Sequence, residues 1–187
     1  MRYVLASASP RRRELFGLIC PTFETVTSDV DETGITAGSP SELCMKLAEL
    51  KCMSVASSEP DACVVGADTI VCVDSEILGK PTDREDAARM LRLLSGRSHH
   101  VLTGLCICFE RRMINSTFCD TEVFFKDLSE DEISGYIDSG DPFDKAGAYG
   151  IQNGAARFCR GINGDFFNVV GLPVNTLYEI LLDNSLL

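Results

Sequence analysis

The chain has 187 residues, 45% hydrophobic and 24% charged, with a formal net charge of −11. That length supports one large domain with a sizeable core, and the acidic balance argues against a general binder of nucleic acid or acidic membranes. An anionic substrate therefore needs a local basic cluster working against the overall field.

Nine cysteines are present, with no CxxC pairs and no Cys/His cluster at zinc spacing. They read as small core residues in a reducing compartment. The close pair Cys106/Cys108 sits in a strand pattern, which puts both side chains on one face. No apolar run reaches the roughly 18 residues that span a bilayer. With no signal peptide to be read, the cytoplasm is the simplest location.

In chain order, Arg2–Ala6 reads as a first strand. Ser9 is placed as an N-cap and Pro10 as the first helical residue, so a helix follows directly, with its positive end at the strand's C-terminal edge. Such an end attracts anions. Arg11, Arg12 and Arg13 in the first turn conflict with the helix dipole, and a polyphosphate resolves the conflict; the plain alternative is a solvated basic patch. A second strand is expected over residues 23–29. It leads to Asp31-Glu32-Thr33-Gly34, which is either a polar loop or a source of a metal ligand.

Ser39-Pro40-Ser41-Glu42 is a capping box, and its helix runs to about Ser57. Cys44, Leu47, Ala48, Cys52 and Val55 form the inward stripe. Lys51 lies on the margin of that stripe, where it either snorkels outward or points into a cleft.

The segment from Ala62 to Lys80 is the centre of the argument. Two β-branched runs, Cys63–Val65 and Ile70–Val73, read as short strands with Asp68 between them. A carboxylate among strand residues costs several kcal/mol of desolvation unless a cation or donors meet it, so Asp68 reads as holding a metal ion or a water; the plain alternative is a turn cap. Gly66 and Ala67 leave room for something bulky near the backbone. Gly79-Lys80-Pro81 is a tight turn that delivers a lysine.

A second capping box, Thr82-Asp83-Arg84-Glu85, opens a helix ending at Gly96. Strands follow over residues 101–109 and 118–126, joined through 111–116. His99 and His100 precede the first of these and read as surface or helix-end residues. Ser129-Glu130-Asp131-Glu132 is a third capping box, and its helix stops at Gly140. The small-residue stretch Asp141–Gln152 is suited to close backbone approach by a ligand. Residues 155–162 and 166–170 are expected to form a hairpin around Asn163-Gly164, and Pro173 starts the last helix.

Three segments together resemble the Maf family of nucleoside triphosphate pyrophosphatases. They are Leu5–Leu15 (LASASPRRREL), Gly66-Ala67-Asp68-Thr69 with Gly79-Lys80-Pro81, and Asp144–Gln152 with Val169–Pro173. The likeness covers nearly the whole chain, in order. It implies a single domain over residues 1–187 with an α/β fold: an elongated mixed sheet flanked by helices, two lobes around a cleft, shared with inosine triphosphate pyrophosphatases.

The resemblance also implies hydrolysis between the α- and β-phosphates with Mg²⁺ or Mn²⁺. Carried over, Asp68 is the general base or metal-water holder, Glu32 an acidic metal-side partner, and Lys80 a catalytic cation. Ser7, Ser9, Arg12 and Lys51 are phosphate or active-site groups. Arg11, Thr69 and Gln152 match specificity positions, and Thr after the Asp together with Gly-Ile-Gln is similar to the branch acting on dTTP and UTP. The alternatives are a 7-methyl-GTP pyrophosphatase, whose branch differs at those places, and a non-catalytic nucleotide-binding regulator of cell division. The implied partner is a nucleoside triphosphate, with neither nucleic acid nor membrane, and a homodimer is compatible with the family.

Overall fold

Capping residues set most of the helix starts in the computed structural model, which describes residues 1–187. Strand β1 (Arg2–Leu5) leads to helix α1 (Pro10–Gly17), whose N-cap Ser9 accepts from Arg12 N. The next segment holds only a two-residue strand, β2 (Glu24–Thr25), parallel to β1 and shorter than the 23–29 strand expected. Both of its residues are exposed, so no buried face rewards a longer pairing.

Helix α2 (Pro40–Ser58) is capped by Ser39, which accepts from Glu42 N. The Glu42 carboxylate reaches past Ser39 to Gly38 N at 2.9 Å, so the box is one residue wider than expected. Strand β3 (Ala62–Val73) is continuous, rather than two short runs broken at Asp68. Because the Asp68 charge finds a partner, its backbone stays in the strand. β3 runs parallel to β1, with Arg2 opposite Ala62 and Leu5 opposite Val65, and antiparallel to the short β4 (Glu76–Leu78).

Helix α3 (Arg84–Leu94) starts one residue later than the Thr82 box implied: Asp83 is the cap, and it accepts from Asp86 N at 2.8 Å. Strands β5 (Ser98–Phe109) and β6 (Arg112–Phe125) are longer than expected and joined by Glu110-Arg111 alone. Both turn residues are left-handed, with φ of 50° and 60°, the conformation whose twist matches that of the flanking strands. His99 and His100 are thus strand residues, and His99 is buried.

Helix α4 (Glu130–Asp138) shows the complete Ser129/Glu132 capping box. The hairpin expected around Asn163-Gly164 does not form. Instead β7 (Cys159–Asn163) pairs antiparallel with β6, and the chain then enters helix α5 (Phe166–Val170). Asp165 explains the switch. Its Oδ1 accepts from Phe167 N at 2.8 Å, and its backbone exchanges two hydrogen bonds with the Thr121 hydroxyl. Helix α6 (Val174–Asp183) follows Pro173 as expected.

The sheet has seven strands in the order β2-β1-β3-β5-β6-β7, with β4 on β3, and helices flank it. Two compact units divide the chain, one comprising Met1–Thr69, Thr103–Cys119 and Gly171–Leu187, the other Ile70–Leu102 and Asp120–Val170. In the first, α2 presses onto β3 and β5 at two glycines. A Cβ on Gly66 would lie 2.7 Å from Ala48 O and from Cys52 Cβ, and one on Gly104 would strike the Cys44 backbone. The space at Gly66 is therefore filled by a helix, not kept for a ligand.

The second unit centres on edge-to-face aromatics, with Phe125 4.9 Å from His99 and 4.8 Å from Tyr149. His99 Nε2 and Tyr149 OH lie 2.7 Å apart. Burial holds His99 at a pKa of about 3, with His100 adding in the same direction, so His99 is neutral.

Candidate active site

The close seat of α2 on β3 sets the site. Lys51, on the helix margin, is drawn down beside Asp68 on the strand, and Lys51 Nζ meets Asp68 Oδ1 at 2.6 Å. The same ammonium lies 3.0 Å from Glu32 Oε1. Both partners of the inner pair are mostly buried, whereas the Glu32 side chain is 47% exposed. One amine thus bridges two carboxylates contributed by segments far apart in sequence. Of the two readings of Lys51, the inward one holds.

Arg12 forms the second part of the site. Its Nε donates to Gly171 O at 2.8 Å and its Nη2 to Thr69 Oγ1 at 2.9 Å. Thr69 Oγ1 is in turn 2.9 Å from Thr103 Oγ1, which is fully buried. Gly171 has a φ of +126°, a conformation that favours glycine and accompanies a carbonyl aimed at the guanidinium. Burial lowers the Arg12 pKa, Asp68 resists that shift, Arg11 adds to it and Glu32 resists it again. A guanidinium stays charged through such a shift.

The turn before α1 completes this unit. Ser7 is nearly buried, its Oγ accepts from Ser9 N at 3.2 Å, and Ser9 Oγ accepts from Arg12 N at 3.4 Å. The two serine hydroxyls hold the turn and the helix start in shape, with Arg11 half-buried in the first turn.

Of the residues singled out in the sequence, Ser7, Ser9, Arg11, Arg12, Glu32, Lys51, Asp68 and Thr69 all belong to the first unit, and Lys80 and Gln152 to the second. Lys80 and Gln152 are exposed. Gly79 O accepts from Gly147 N at 3.0 Å, which ties the Lys80 turn to the loop leading to Gln152. Inside that loop, Lys145 is buried, with Nζ 2.6 Å from Asp141 O, 3.0 Å from Asp141 Oδ1 and 2.6 Å from Asp144 Oδ1.

Two contributors were missed in the sequence. Thr103 could have been found as the lone hydroxyl in the apolar run 101–109. The Gly171 carbonyl left no side-chain signal at all.

A mixed-sheet α/β protein with carboxylates gathered on a lysine, beside an arginine-rich helix start, has the make-up of a phosphate-handling enzyme. The Maf family, described as Maf-like protein, matches residues 2–184. The chain belongs to that family. It is 52% identical over 174 residues to the dTTP/UTP pyrophosphatase of Bacillus velezensis, covering 92% of this chain and 91% of that protein. It is 49% identical over 179 residues to the dTTP/UTP pyrophosphatase of a Geobacillus species, covering 95% of each. Among solved structures, the Staphylococcus aureus Ham1 protein superposes with a TM-score of 0.56 at 16% identity, covering 98% of this chain and all of that one. At that identity the likeness speaks to the fold alone, and it supports the expected architecture. No helix is long and apolar enough to cross a membrane.

Proposed function

We propose that this protein is a nucleoside triphosphate pyrophosphatase that hydrolyses dTTP and UTP to the monophosphate and pyrophosphate. The observation that carries the reading is the near-full-length identity of about half to dTTP/UTP pyrophosphatases, joined to a Lys51–Asp68 pair with Glu32 on the same ammonium. A triphosphate carries about four negative charges, which must be offset before water can approach phosphorus.

Asp68 and Glu32 meet at Lys51 Nζ through one oxygen each, and the remaining lone pairs of the two carboxylates would hold a cation beside the ammonium. Two hard carboxylates fit Mg²⁺ or Mn²⁺, which take one or two protein oxygens and complete their shell with water and phosphate. When bound there, the ion supplies Lewis-acid stabilisation of phosphate charge.

The residues supply the rest. Lys51 orients Asp68, and Asp68 accepts the proton of the attacking water. That water attacks the α-phosphorus, the bond to the α–β bridging oxygen breaks, and pyrophosphate leaves with the electron pair. Arg12, fixed by Gly171 O and Thr69, presents a guanidinium to the phosphates. The Ser7–Ser9 turn and the start of α1 offer polar groups and a positive dipole end, and Lys80 adds charge. The Thr69 hydroxyl is engaged with Arg12 and Thr103, so it acts first by orienting Arg12. Gln152 carries both an amide donor and an acceptor, which suit the O4/N3–H edge shared by thymine and uracil.

The test is pyrophosphate release from a panel of triphosphates with Mg²⁺ or Mn²⁺, for wild type and Asp68→Asn. Turnover of dTTP and UTP, lost in the variant, is the expected result. Preference for 7-methyl-GTP would overturn the substrate assignment, and binding without turnover would mean a regulator.

A further inference from the structure

Outside this site, the first unit holds a second cluster of chemistry-bearing side chains. Cys106 and Cys108 point to the same face of β5, and Cys52 on α2 comes down onto them. The three sulfurs all lie within 4.8 Å of one another, with Cys106 Sγ to Cys108 Sγ at 3.9 Å. A fourth sulfur, Met53 Sδ, lies 3.3 Å from Cys108 Sγ. All three cysteines are fully buried, while Met53 is 39% exposed. The cluster is therefore one side chain below the surface, with the thioether at its outer edge.

We propose that Cys52, Cys106 and Cys108, with Met53, form a soft-ligand site that binds one Cu(I) ion. Three sulfurs in a trigonal plane at about 2.3 Å from a metal lie about 4 Å apart, close to the spacing already present. The donor set selects the ion. Thiolate and thioether sulfurs favour Cu(I), whereas structural zinc sites take four thiolate, imidazole or carboxylate ligands, and the fourth donor here is a thioether. Two- and three-coordinate geometry is ordinary for Cu(I).

The surroundings are apolar: Val4, Ala6, Ala48, Val55, Ala56, Ala62 and Val64 pack with the cysteines. Low net charge is favoured in such a setting. Each Cu–S(thiolate) bond releases one thiol proton to solvent, so a complex with one thiolate is neutral and one with two carries −1. The Cys52 thiol, which donates to Val64 O at 3.3 Å, either keeps its proton there or gives up that bond on ligation.

The experiment is anaerobic titration of the full chain with Cu(I) against a chromogenic Cu(I) chelator, with X-ray absorption on the loaded protein. One equivalent retained, with a sulfur-only first shell, is the expected result. Cys106→Ala should weaken binding at least a hundredfold and Met53→Leu several-fold, while Cys63→Ala, at a buried cysteine outside the cluster, leaves it unchanged. Should Cys106→Ala fail to fold, mass-spectrometric mapping of wild type decides: Cu(I) should protect Cys52, Cys106 and Cys108 from alkylation, but not Cys63. Failure to retain Cu(I), equal binding by Cys106→Ala, or uniform protection would overturn the proposal. Retention of Zn²⁺ in place of Cu(I) would overturn the choice of ion.

Discussion

Two lysine–aspartate pairs, one in each unit, differ in how completely they are bonded. Lys145 reaches three oxygens, and its partner Asp141 also accepts from Tyr136 OH at 2.6 Å and Asn153 Nδ2 at 2.7 Å. Burial opposes ionisation of Asp141, and the bonds from Tyr136, Asn153 and Lys145 together outweigh it, leaving its pKa below the usual range. Gly150 permits this closure, since a Cβ there would lie 2.5 Å from Lys145 Cε. Lys51 instead holds one oxygen of Asp68 and one of a half-exposed Glu32. A fully bonded pair fixes a loop. A sparsely bonded pair keeps valence for a ligand.

The sharpest way to break this comparison is Asp68→Asn. The amide is isosteric, so folding stability should change by less than about 1 kcal/mol, whereas pyrophosphate release should fall by about 10³-fold or more with loss of the base. Comparable losses in both would make Asp68 a structural residue.

The lysines should divide on activity. Lys145→Met strands two carboxylates and should lower stability by about 3 kcal/mol, toward the lower end for a broken buried pair, as read by denaturant unfolding. Lys51→Met also strands a buried carboxylate, Asp68, and should cost about 2 kcal/mol of stability, but unlike Lys145→Met it should reduce activity by about 10²-fold. An equal loss of activity in the two variants would erase the distinction.

Gly66→Ala tests how the sparse pair is positioned. The added methyl meets the Ala48 carbonyl and the Cys52 backbone, so α2 must lift. A cost of about 2 kcal/mol is expected from overpacking, with a parallel loss of activity as Lys51 is carried off Asp68. An unchanged kcat/KM would separate the helix seat from the site.

The smallest effect concerns pH. Neutral His99, near 3 in the fold against an ordinary 6.5, binds fewer protons than it does in the unfolded chain. Its contribution is therefore full above about pH 6.5 and declines as pH falls toward 3. Between pH 7 and 5.5 the loss should be about 1 kcal/mol. His99→Gln should flatten that part of the stability profile, and an identical slope in the variant would assign it to other groups.

Local chemistry was legible without coordinates. Ser9-Pro10, Ser39-Pro40 and Ser129…Glu132 mark helix starts because a cap and its recipient N–H lie within one turn. Asp68 stood out because a charge in a β-branched run demands a partner. The break expected in β3 at Asp68 and the helix at 166–170 were misread for one reason: competing pairings decide them. β3 runs through Asp68 once Lys51 answers its charge, and residues 166–170 turn helical because Thr121 and Asp165 bind each other across 44 positions. The buried His99 was misplaced because the strand containing it extends back to Ser98.

The sequence by itself therefore determined where most of the helices begin, which residues carry charge, and the family to which the chain belongs. Only the tertiary structure decided which of them meet. Lys51 joins Asp68, and Cys52 joins Cys106 and Cys108, because Gly66 and Gly104 lack the side chains that would hold α2 away from β3 and β5. That approach is set by packing between segments distant in the chain, which no local pattern encodes.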